Sequence, residues 1–208
     1  MMDAAFMRLA LSLVLAYFLG SIPSASLIAR LYGVDIFKVG SGNPGMTNVL
    51  RTLGWKPAVP VTIMDAGKGY LAALLAMHLT GSLPWALAAG VLAVLGHSFT
   101  CFARFRGCKG VLTGFGVFLY FAPWGALAGL AAWIAVVSIT RYVSLGSITA
   151  AIVMPLGIFL EARQPENHGL YPVLVVSILV CLFVFYRHRA NIARLTQGTE
   201  SKIGSKAA

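Results

Sequence analysis

Long apolar stretches separated by short polar ones dominate the sequence. An α-helix needs roughly 20 mostly apolar residues to cross the hydrocarbon core of a bilayer. This pattern predicts an all-α integral membrane protein, a single seven-helix bundle over residues 1–208 with no soluble domain or internal repeat. The predicted spans are about 6–29, 58–79, 83–102, 111–122, 125–139, 145–160 and 171–186. The fourth is short, and we expect it to tilt or to be broken.

Composition and charge support this class and add an orientation. Hydrophobic residues make up 59% of the chain, charged residues 11%, and the formal net charge is +10. The basic residues are concentrated in segments 30–57, 103–110, 140–144 and 187–208, which alternate spans place on one side. Because basic loops stay in the cytoplasm, we expect the N-terminus outside, the C-terminus inside, and the first span retained rather than cleaved as a signal peptide. We expect no nucleic-acid partner, since no basic stripe with interleaved aromatics occurs.

The polar stretch GSGNPGMTNVLR, residues 40–51, interrupts this apolar pattern. Glycines let backbone N–H groups approach an anion closely, and such loops bind phosphate. Polar side chains and Arg51 add donors, but the lysine of a Walker A loop is absent. The alternative interpretation is a structural turn between two helices.

Three more polar stretches fall on the predicted cytoplasmic side. Lys109 stands between Cys108 and Gly110, at the start of a predicted span, where it combines a charge with N–H donors; an ordinary basic loop is the alternative. RYVSLGS, residues 141–147, supplies hydroxyls that are candidate substrate ligands; the alternative is that they cap a helix. Residues 186–200 contain His188 and Asn191 on one helical face; a basic helix on anionic lipid is the alternative.

Two charged residues lie inside the second predicted span. Asp65 and Lys68 are three residues apart and can therefore pair, which lowers the cost of burying them. A pair in this position is a functional candidate, but we favour a structural brace because it is distant in sequence from the other clusters. His97 is similarly ambiguous. The cytoplasmic stretches are rich in anion donors and poor in carboxylates, which predicts anionic substrates with no metal and no cofactor.

Six motifs in order resemble one family. They are GSIPSASLIAR, GSGNPGMTNVLR, MDAGKG, LGHSF…FRGCKGV, RYVSLGSI and RHRANIARLTQGTESKIG, between about Leu19 and Gly204. They are similar to the bacterial membrane-bound acyl-phosphate:glycerol-3-phosphate acyltransferases. The resemblance implies seven spans in the bacterial inner membrane, with conserved loops at the cytoplasmic face. It implies transfer of a long-chain acyl group from acyl phosphate to the 1-hydroxyl of glycerol 3-phosphate, which gives lysophosphatidate and phosphate in phospholipid biosynthesis.

The resemblance also implies site residues. By the family's pattern, glycerol 3-phosphate would be held by Ser41, Arg51, Lys109, Ser144, His188 and Asn191. The acyl-phosphate headgroup would be held by Asn43, Gly45, Thr47 and Asn48.

The chain differs from the family's pattern at four positions. Thr100 replaces a proline, Arg106 a lysine, Cys108 a glycine and Met46 an alanine. If the glycine at position 108 requires a positive φ, the cysteine is expected to strain the loop. A covalent role for Cys108 is not expected.

An acyl phosphate is already activated, so we expect direct attack by the glycerol hydroxyl without an enzyme nucleophile. The candidate catalytic residues are His188, Lys109 and Asn191. His188 is the best side-chain base, and the donor's own phosphate is the alternative proton acceptor. The expected partners are the two substrates and membrane lipid, and the expected state is a monomer. Two rival functions remain: a transporter for a small anion, and an inactive relative.

Overall fold

The computed structural model describes residues 3–204, and its regular structure is helical throughout that range. The ten α-helices are α1 (Ala4–Ser21), α2 (Ser24–Leu31), α3 (Met46–Leu53), α4 (Trp55–Thr80), α5 (Leu83–Ser98), α6 (Val111–Phe121), α7 (Pro123–Thr140), α8 (Val143–Ala162), α9 (Tyr171–Arg187) and α10 (Arg189–Thr196). Two short 3₁₀ turns lie at Cys101–Ala103 and Pro165–Leu170.

Six helical segments of the described chain are long and apolar enough to cross a membrane. They are Ala4–Leu31, Trp55–Thr80, Leu83–Ala103, Pro123–Thr140, Val143–Ala162 and Pro165–Arg187. These correspond to six of the predicted spans and confirm an all-helical integral membrane fold. The 11-residue α6 is about 17 Å long, well below the roughly 30 Å of a hydrocarbon core. The count of seven crossings and the orientation of the termini therefore stay predictions.

The first predicted span is broken rather than continuous. Helix α1 ends at Ser21 and α2 begins at Ser24, with Pro23 between them. Proline has no N–H to donate, so carbonyl groups at the break need other partners. Two side chains supply them: Lys68 Nζ donates to Ile22 O at 2.9 Å, and Thr100 Oγ1 donates to Ser21 O. The sequence pattern showed small residues here, but not the break.

Contacts divide the chain into two compact units that meet in sequence between Tyr120 and Phe121. In the first unit, α1, α4 and α5 pack against one another, and α2 and α3 pack on α4. Glycines allow α6 to approach α4 closely: a Cβ added to Gly116 would overlap the carbonyl oxygen of Ala66, and one added to Gly69 would overlap that of Thr113. Close backbone approach through small residues is the usual packing of membrane helices.

Substituting Gly116 with alanine is expected to destabilise the first unit. The new methyl group cannot avoid the backbone of α4, so the helices must separate. Overpacking of this kind costs about 1–3 kcal/mol, which lowers Tm by roughly 2–12 °C. Thermal unfolding in detergent measures the effect. Gly67→Ala is the matched control, because a Cβ at Gly67 has open space, and equal Tm values for the two variants would contradict this packing.

In the second unit, α8 packs against α7 and α9, and α10 contacts α8 and α9. The α7–α8 contact is again close, since a Cβ on Gly125 would overlap Ile158. The Gly125 N–H also donates to Glu161 Oε2 at 3.2 Å, which caps the start of α7. The packing of α8 against α7 and α9 fixes the start of α8, where Ser144 lies.

Candidate active site

The loop before α3 is organised around the side chain of Asn48. Its Oδ1 accepts from the Ser41 N–H at 3.0 Å, and its Nδ2 donates to Ile36 O and Val39 O at 3.1 and 3.0 Å. Asn48 is only 1% exposed, so these bonds are made away from water. The turn also requires left-handed backbone at Gly40 and Gly42, with φ of +56° and +66°. The Asn48 side chain therefore holds the loop in shape.

Helix α3 begins at the end of this loop. Its N-cap is Gly45, so the cap has no side chain to accept from the N–H groups of the first turn, at Met46 and Thr47. Such N–H groups, together with the helix dipole, favour an anion at the helix start. Arg51 lies in the last turn of the same helix and Ser41 in the loop. The predicted phosphate-binding loop thus ends in a helix N-terminus suited to that ligand.

The Lys109 loop is anchored to the end of α5. The Gly107 N–H donates to Ser98 O and the Cys108 N–H to His97 O, both at 3.2 Å. Gly110 follows with φ of +84°, directly before α6. Lys109 is therefore placed between a loop tied to α5 and the first residue of α6.

Cys108 does not strain this loop, because the condition for strain is not met. Its φ is not positive; the non-glycine residues of the described chain with positive φ are Arg104, Phe105 and Arg141. The position that requires left-handed backbone is Gly110, which this chain keeps. A cysteine is accordingly compatible with the backbone at position 108.

The Cys108 thiol instead joins the two loops. Asn43 Nδ2 donates to Cys108 Sγ at 3.3 Å, and a Cβ added to Gly45 would overlap the same sulfur. Burial raises the pKa of the Cys108 thiol, the charge of Asp65 raises it further, and a hydrogen bond from Asn43 and the proximity of Lys109 lower it less. The thiol is thus protonated at neutral pH, which argues against a covalent role.

In the second unit, a carboxylate that the sequence reasoning did not single out organises the predicted residues. Glu200 Oε1 accepts from Ser144 Oγ at 2.7 Å and from Asn191 Nδ2 at 2.8 Å, while Oε2 accepts from Arg194 Nε at 2.7 Å. The tail that carries Glu200 also pairs with the start of α8, since the Ile203 N–H donates to Arg141 O at 2.9 Å. The only sign of this role in the sequence was that Glu200 is the one acidic residue of the basic segment 187–208.

The Glu200 carboxylate is ionised well into the acid range. Burial raises its pKa, but hydrogen bonds from Asn191, Ser144 and Arg194, with the charge of Arg194, outweigh burial and lower the pKa below its ordinary 4.5. A carboxyl whose folded pKa is depressed stabilises the fold above the unfolded pKa, and this contribution is lost as pH falls through the folded pKa. The network is therefore intact at neutral pH.

Replacing this carboxylate with an amide is expected to lower stability in a pH-dependent way. Glu200→Gln loses charge-assisted hydrogen bonds that are together expected to contribute about 1–3 kcal/mol at pH 7. The difference in Tm from wild type should shrink as pH falls from about 4.5, where the unfolded carboxyl binds a proton, through the lower folded pKa, where the native carboxylate binds one as well. Glu166→Gln, at an exposed position of the same unit, is the control. A Tm difference that stays constant down to acidic pH would contradict the network.

His188 stands between α9 and α10 and is 3% exposed. Its Nδ1 lies 2.8 Å from Val184 O. Because a carbonyl oxygen only accepts hydrogen bonds, Nδ1 carries the proton, and Nε2 is the basic nitrogen of the neutral ring. This tautomer suits the general base that the sequence predicts.

Seven of the predicted site residues belong to the first unit and three to the second. Those of the first unit are Ser41, Asn43, Gly45, Thr47, Asn48, Arg51 and Lys109; those of the second are Ser144, His188 and Asn191. Within residues 3–204, no cluster of three or more His, Cys, Asp or Glu residues could hold a metal ion.

Known proteins are similar to this chain in sequence and in fold. The sequence pattern that defines the family "Glycerol-3-phosphate acyltransferase" matches residues 10–198. Proteins of that name from Trichlorobacter lovleyi and Thermus thermophilus are 45% and 46% identical; the alignments cover 90% and 94% of this chain and 93% and 96% of theirs. A protein of that name from Bordetella pertussis is 46% identical, over 93% of this chain and 91% of its own.

Solved structures agree. The crystal structure of PlsY, an integral membrane glycerol 3-phosphate acyltransferase in its glycerol 3-phosphate form, is 40% identical with a TM-score of 0.84, over 97% of this chain and 96% of that one. A second crystal structure of PlsY, in its lysophosphatidic acid form, is 39% identical with a TM-score of 0.83 over the same shares. The chain is therefore a multi-pass integral membrane protein that belongs to the glycerol-3-phosphate acyltransferase family.

Proposed function

We propose that this chain transfers a long-chain acyl group from acyl phosphate to the 1-hydroxyl of glycerol 3-phosphate. The products are inorganic phosphate and lysophosphatidate, which is the first acylated intermediate of phospholipid synthesis. The observation that carries the choice of donor is the contact between the two anion-binding loops. Through Asn43 and Cys108, the loop bearing Lys109 packs against the N-cap of α3, so two kinds of anion donor belong to one surface.

The donor's phosphate would bind at the start of α3. Backbone N–H groups of the first turn, the helix dipole and the side chains of Asn43 and Thr47 supply hydrogen bonds. Gly45 has no Cβ, and the space where one would lie is occupied by Cys108 Sγ, so the Lys109 loop lies close to the start of α3. Asn48 would act by holding this loop in shape.

Glycerol 3-phosphate would be held by charged and hydroxyl groups. Arg51 and Lys109, with Ser41, suit its phosphate. Ser144 Oγ already donates to Glu200, so its lone pairs would accept from a glycerol hydroxyl. Asn191 Nδ2 donates to Glu200, which orients the Asn191 amide toward the acceptor substrate in this proposal.

The reaction proposed is direct attack on the acyl carbon. The C1 oxygen forms the new ester bond, the bond from the acyl carbon to the phosphate oxygen breaks, and the hydroxyl proton passes to His188 Nε2 or to the phosphate. Holding both substrates in place supplies up to about 7–11 kcal/mol. Lys109 would stabilise charge on the acyl oxygen or the leaving phosphate.

The protein would act at the inner membrane of a bacterium, as one monomeric domain. Seven crossings, with the N-terminus outside and the loops of residues 32–45 and 104–110 on the cytoplasmic face, agree with the distribution of basic residues. This side would receive a water-soluble acceptor, while the apolar helices would solvate the acyl chain.

A turnover assay tests the proposal. Purified protein in detergent is given palmitoyl phosphate and labelled glycerol 3-phosphate, with palmitoyl-CoA as the alternative donor and Lys109→Ala beside it. We expect lysophosphatidate from acyl phosphate, and a loss of about 100- to 1,000-fold in kcat/KM in the variant. Product from palmitoyl-CoA alone would overturn the choice of donor. No product from either donor with folded protein would favour the inactive relative or the anion transporter.

A further inference from the structure

A buried polar cluster outside the residues assigned above lies inside the first unit. Asp65, Lys68 and His97 are 2%, 5% and 7% exposed. Lys68 Nζ lies 2.7 Å from Asp65 Oδ1, which confirms the pairing predicted from their spacing, and His97 Nδ1 lies 3.6 Å from the same oxygen. The three side chains come from α4 and α5, so the cluster joins two helices.

The cluster also reaches two other segments. Lys68 Nζ donates to Ile22 O at the break between α1 and α2. Thr113 Oγ1, in the first turn of α6, donates to the main-chain oxygen of Asp65 at 3.0 Å. The helix break, α4, the end of α5 and the start of α6 are therefore tied together at one place.

This place lies beside the Lys109 loop. One pocket is lined by Asp65, His97, Pro44 and Cys108, so it extends from the ion pair to both anion-binding loops. The His97 carbonyl accepts from the Cys108 N–H, and Asp65 is close enough for its charge to raise the pKa of the Cys108 thiol. Ser26 Oγ lines the same pocket and is buried with no hydrogen-bond partner in the described part of the chain.

Stability alone is a poor explanation for this cluster. Charged side chains are costly in a membrane protein interior, and well-packed apolar residues of similar volume often replace a buried ion pair with no loss of stability. Here the neighbouring segments also pack closely through small residues, and Lys68 adds one hydrogen bond to Ile22 O at the break. The ion pair therefore calls for a role besides holding the helices together.

We propose that Asp65, Lys68 and His97 are positioning residues that set the conformation of the Lys109 loop for acyl transfer. Lys68 fixes the Asp65 carboxylate, which lies 3.6 Å from His97 Nδ1 near the end of α5. The main-chain carbonyl of His97 accepts from the Cys108 N–H immediately before Lys109, so the cluster braces the helix end to which this loop is attached. The inference deepens the proposed function and rests on it. In this proposal the three residues act through the loop and make no direct contact with substrate.

The first experiment separates positioning from stability. Asp65→Leu with Lys68→Met removes both charges and keeps apolar bulk. The matched control is Asp35→Leu with Lys38→Met, since Asp35 and Lys38 are also three apart but form an exposed pair at 3.7 Å in the same unit. Tm, kcat and KM for both substrates are measured for both double variants.

We expect the buried double variant to remain folded and to lose about 100-fold in kcat, because a displacement of about 1 Å in a reacting group can cost that much. The surface double variant should match wild type. A buried double variant with wild-type kcat would overturn the proposal and leave the cluster a structural brace.

A second readout needs no substrate. In a Cys101→Ser, Cys181→Ser background, Cys108 is the one remaining cysteine, and its reaction with a maleimide reports the conformation of the Lys109 loop. Because the charge of Asp65 also raises the pKa of the thiol, the labelling rate is measured over a range of pH and expressed as the rate constant of the thiolate. We expect this rate constant to rise when Asp65→Asn is added, and to keep its wild-type value when Asp35→Asn is added. Unchanged labelling with Asp65→Asn would overturn the proposal even if the double variant fails to fold.

The two readouts also separate this inference from the proposed function. If wild type shows no turnover with acyl phosphate, the proposed function fails, while the labelling rate still reports whether the cluster holds the loop. If wild type turns over and both readouts are insensitive to the cluster, the inference alone fails.

Discussion

His188→Ala is expected to lower kcat by about 100- to 10,000-fold, with a much smaller change in the KM for glycerol 3-phosphate. The His188 ring is buried and its Nδ1 proton is committed to Val184 O, so Nε2 is the nitrogen that can accept a proton. A base that acts in the transition state affects kcat. The acidic limb of the pH–rate profile, which reports protonation of an essential base, should disappear in the variant.

His168→Ala is the control for this prediction. His168 belongs to the same unit but is exposed in the 3₁₀ turn before α9, so its loss should leave kcat and the pH profile unchanged. A raised KM with wild-type kcat in His188→Ala would assign His188 to binding only. The donor's phosphate would then be the proton acceptor.

Gly45→Ala is expected to reduce kcat/KM by about 100-fold, because the new methyl group overlaps Cys108 Sγ and displaces either the start of α3 or the Lys109 loop. The variant offers an internal rescue. Replacing Cys108 with glycine removes the sulfur, so Gly45→Ala with Cys108→Gly should recover most of the lost activity. Cys108→Gly alone removes the hydrogen bond from Asn43 and should cost less activity than Gly45→Ala, since it introduces no overlap.

Gly67→Ala serves as the control for adding a methyl group, since the space beside Gly67 is open. Equal activity of the Gly45→Ala variant with and without Cys108→Gly would show that the loss does not arise from this overlap. In that case the backbone of Gly45 itself, and not its packing against Cys108, would explain the effect.

The spans could be predicted from sequence because the membrane imposes one strong rule, that apolar helices of sufficient length cross it. The break at Pro23 was missed because apolar periodicity continues through it. Its partners, Lys68 and Thr100, are distant in sequence, and only the packing of α4 and α5 against α1 brings them near.

The residue types of the candidate site could be predicted from sequence, but the hydrogen bonds that each side chain makes within the protein could not. Asn48 was predicted to bind substrate, and the structure adds that its side chain shapes the loop through three hydrogen bonds. Asp65 was set aside because it is far in sequence from the polar loops, but the fold places it in one pocket with Cys108. Glu200 was missed, since a carboxylate is not expected among anion-binding residues until its donors are known.

The sequence could not decide whether Cys108 would strain its loop, for a local reason. A glycine in a family's pattern is needed either for positive φ or for space, and sequence alone does not distinguish them. Here φ at position 108 is not positive, so a cysteine is compatible with the backbone, and the position where space is limited is Gly45, against which the sulfur lies.

The most direct test of acyl transfer without an enzyme intermediate is the ratio of phosphate released to lysophosphatidate formed. Purified protein is mixed with palmitoyl phosphate, and released phosphate and lysophosphatidate are measured with and without glycerol 3-phosphate. Direct transfer predicts one phosphate for each lysophosphatidate, and no phosphate release or exchange of labelled phosphate into the donor when the acceptor is omitted. Release or exchange without acceptor, at a rate matching turnover, would show an acyl-enzyme intermediate and contradict the account.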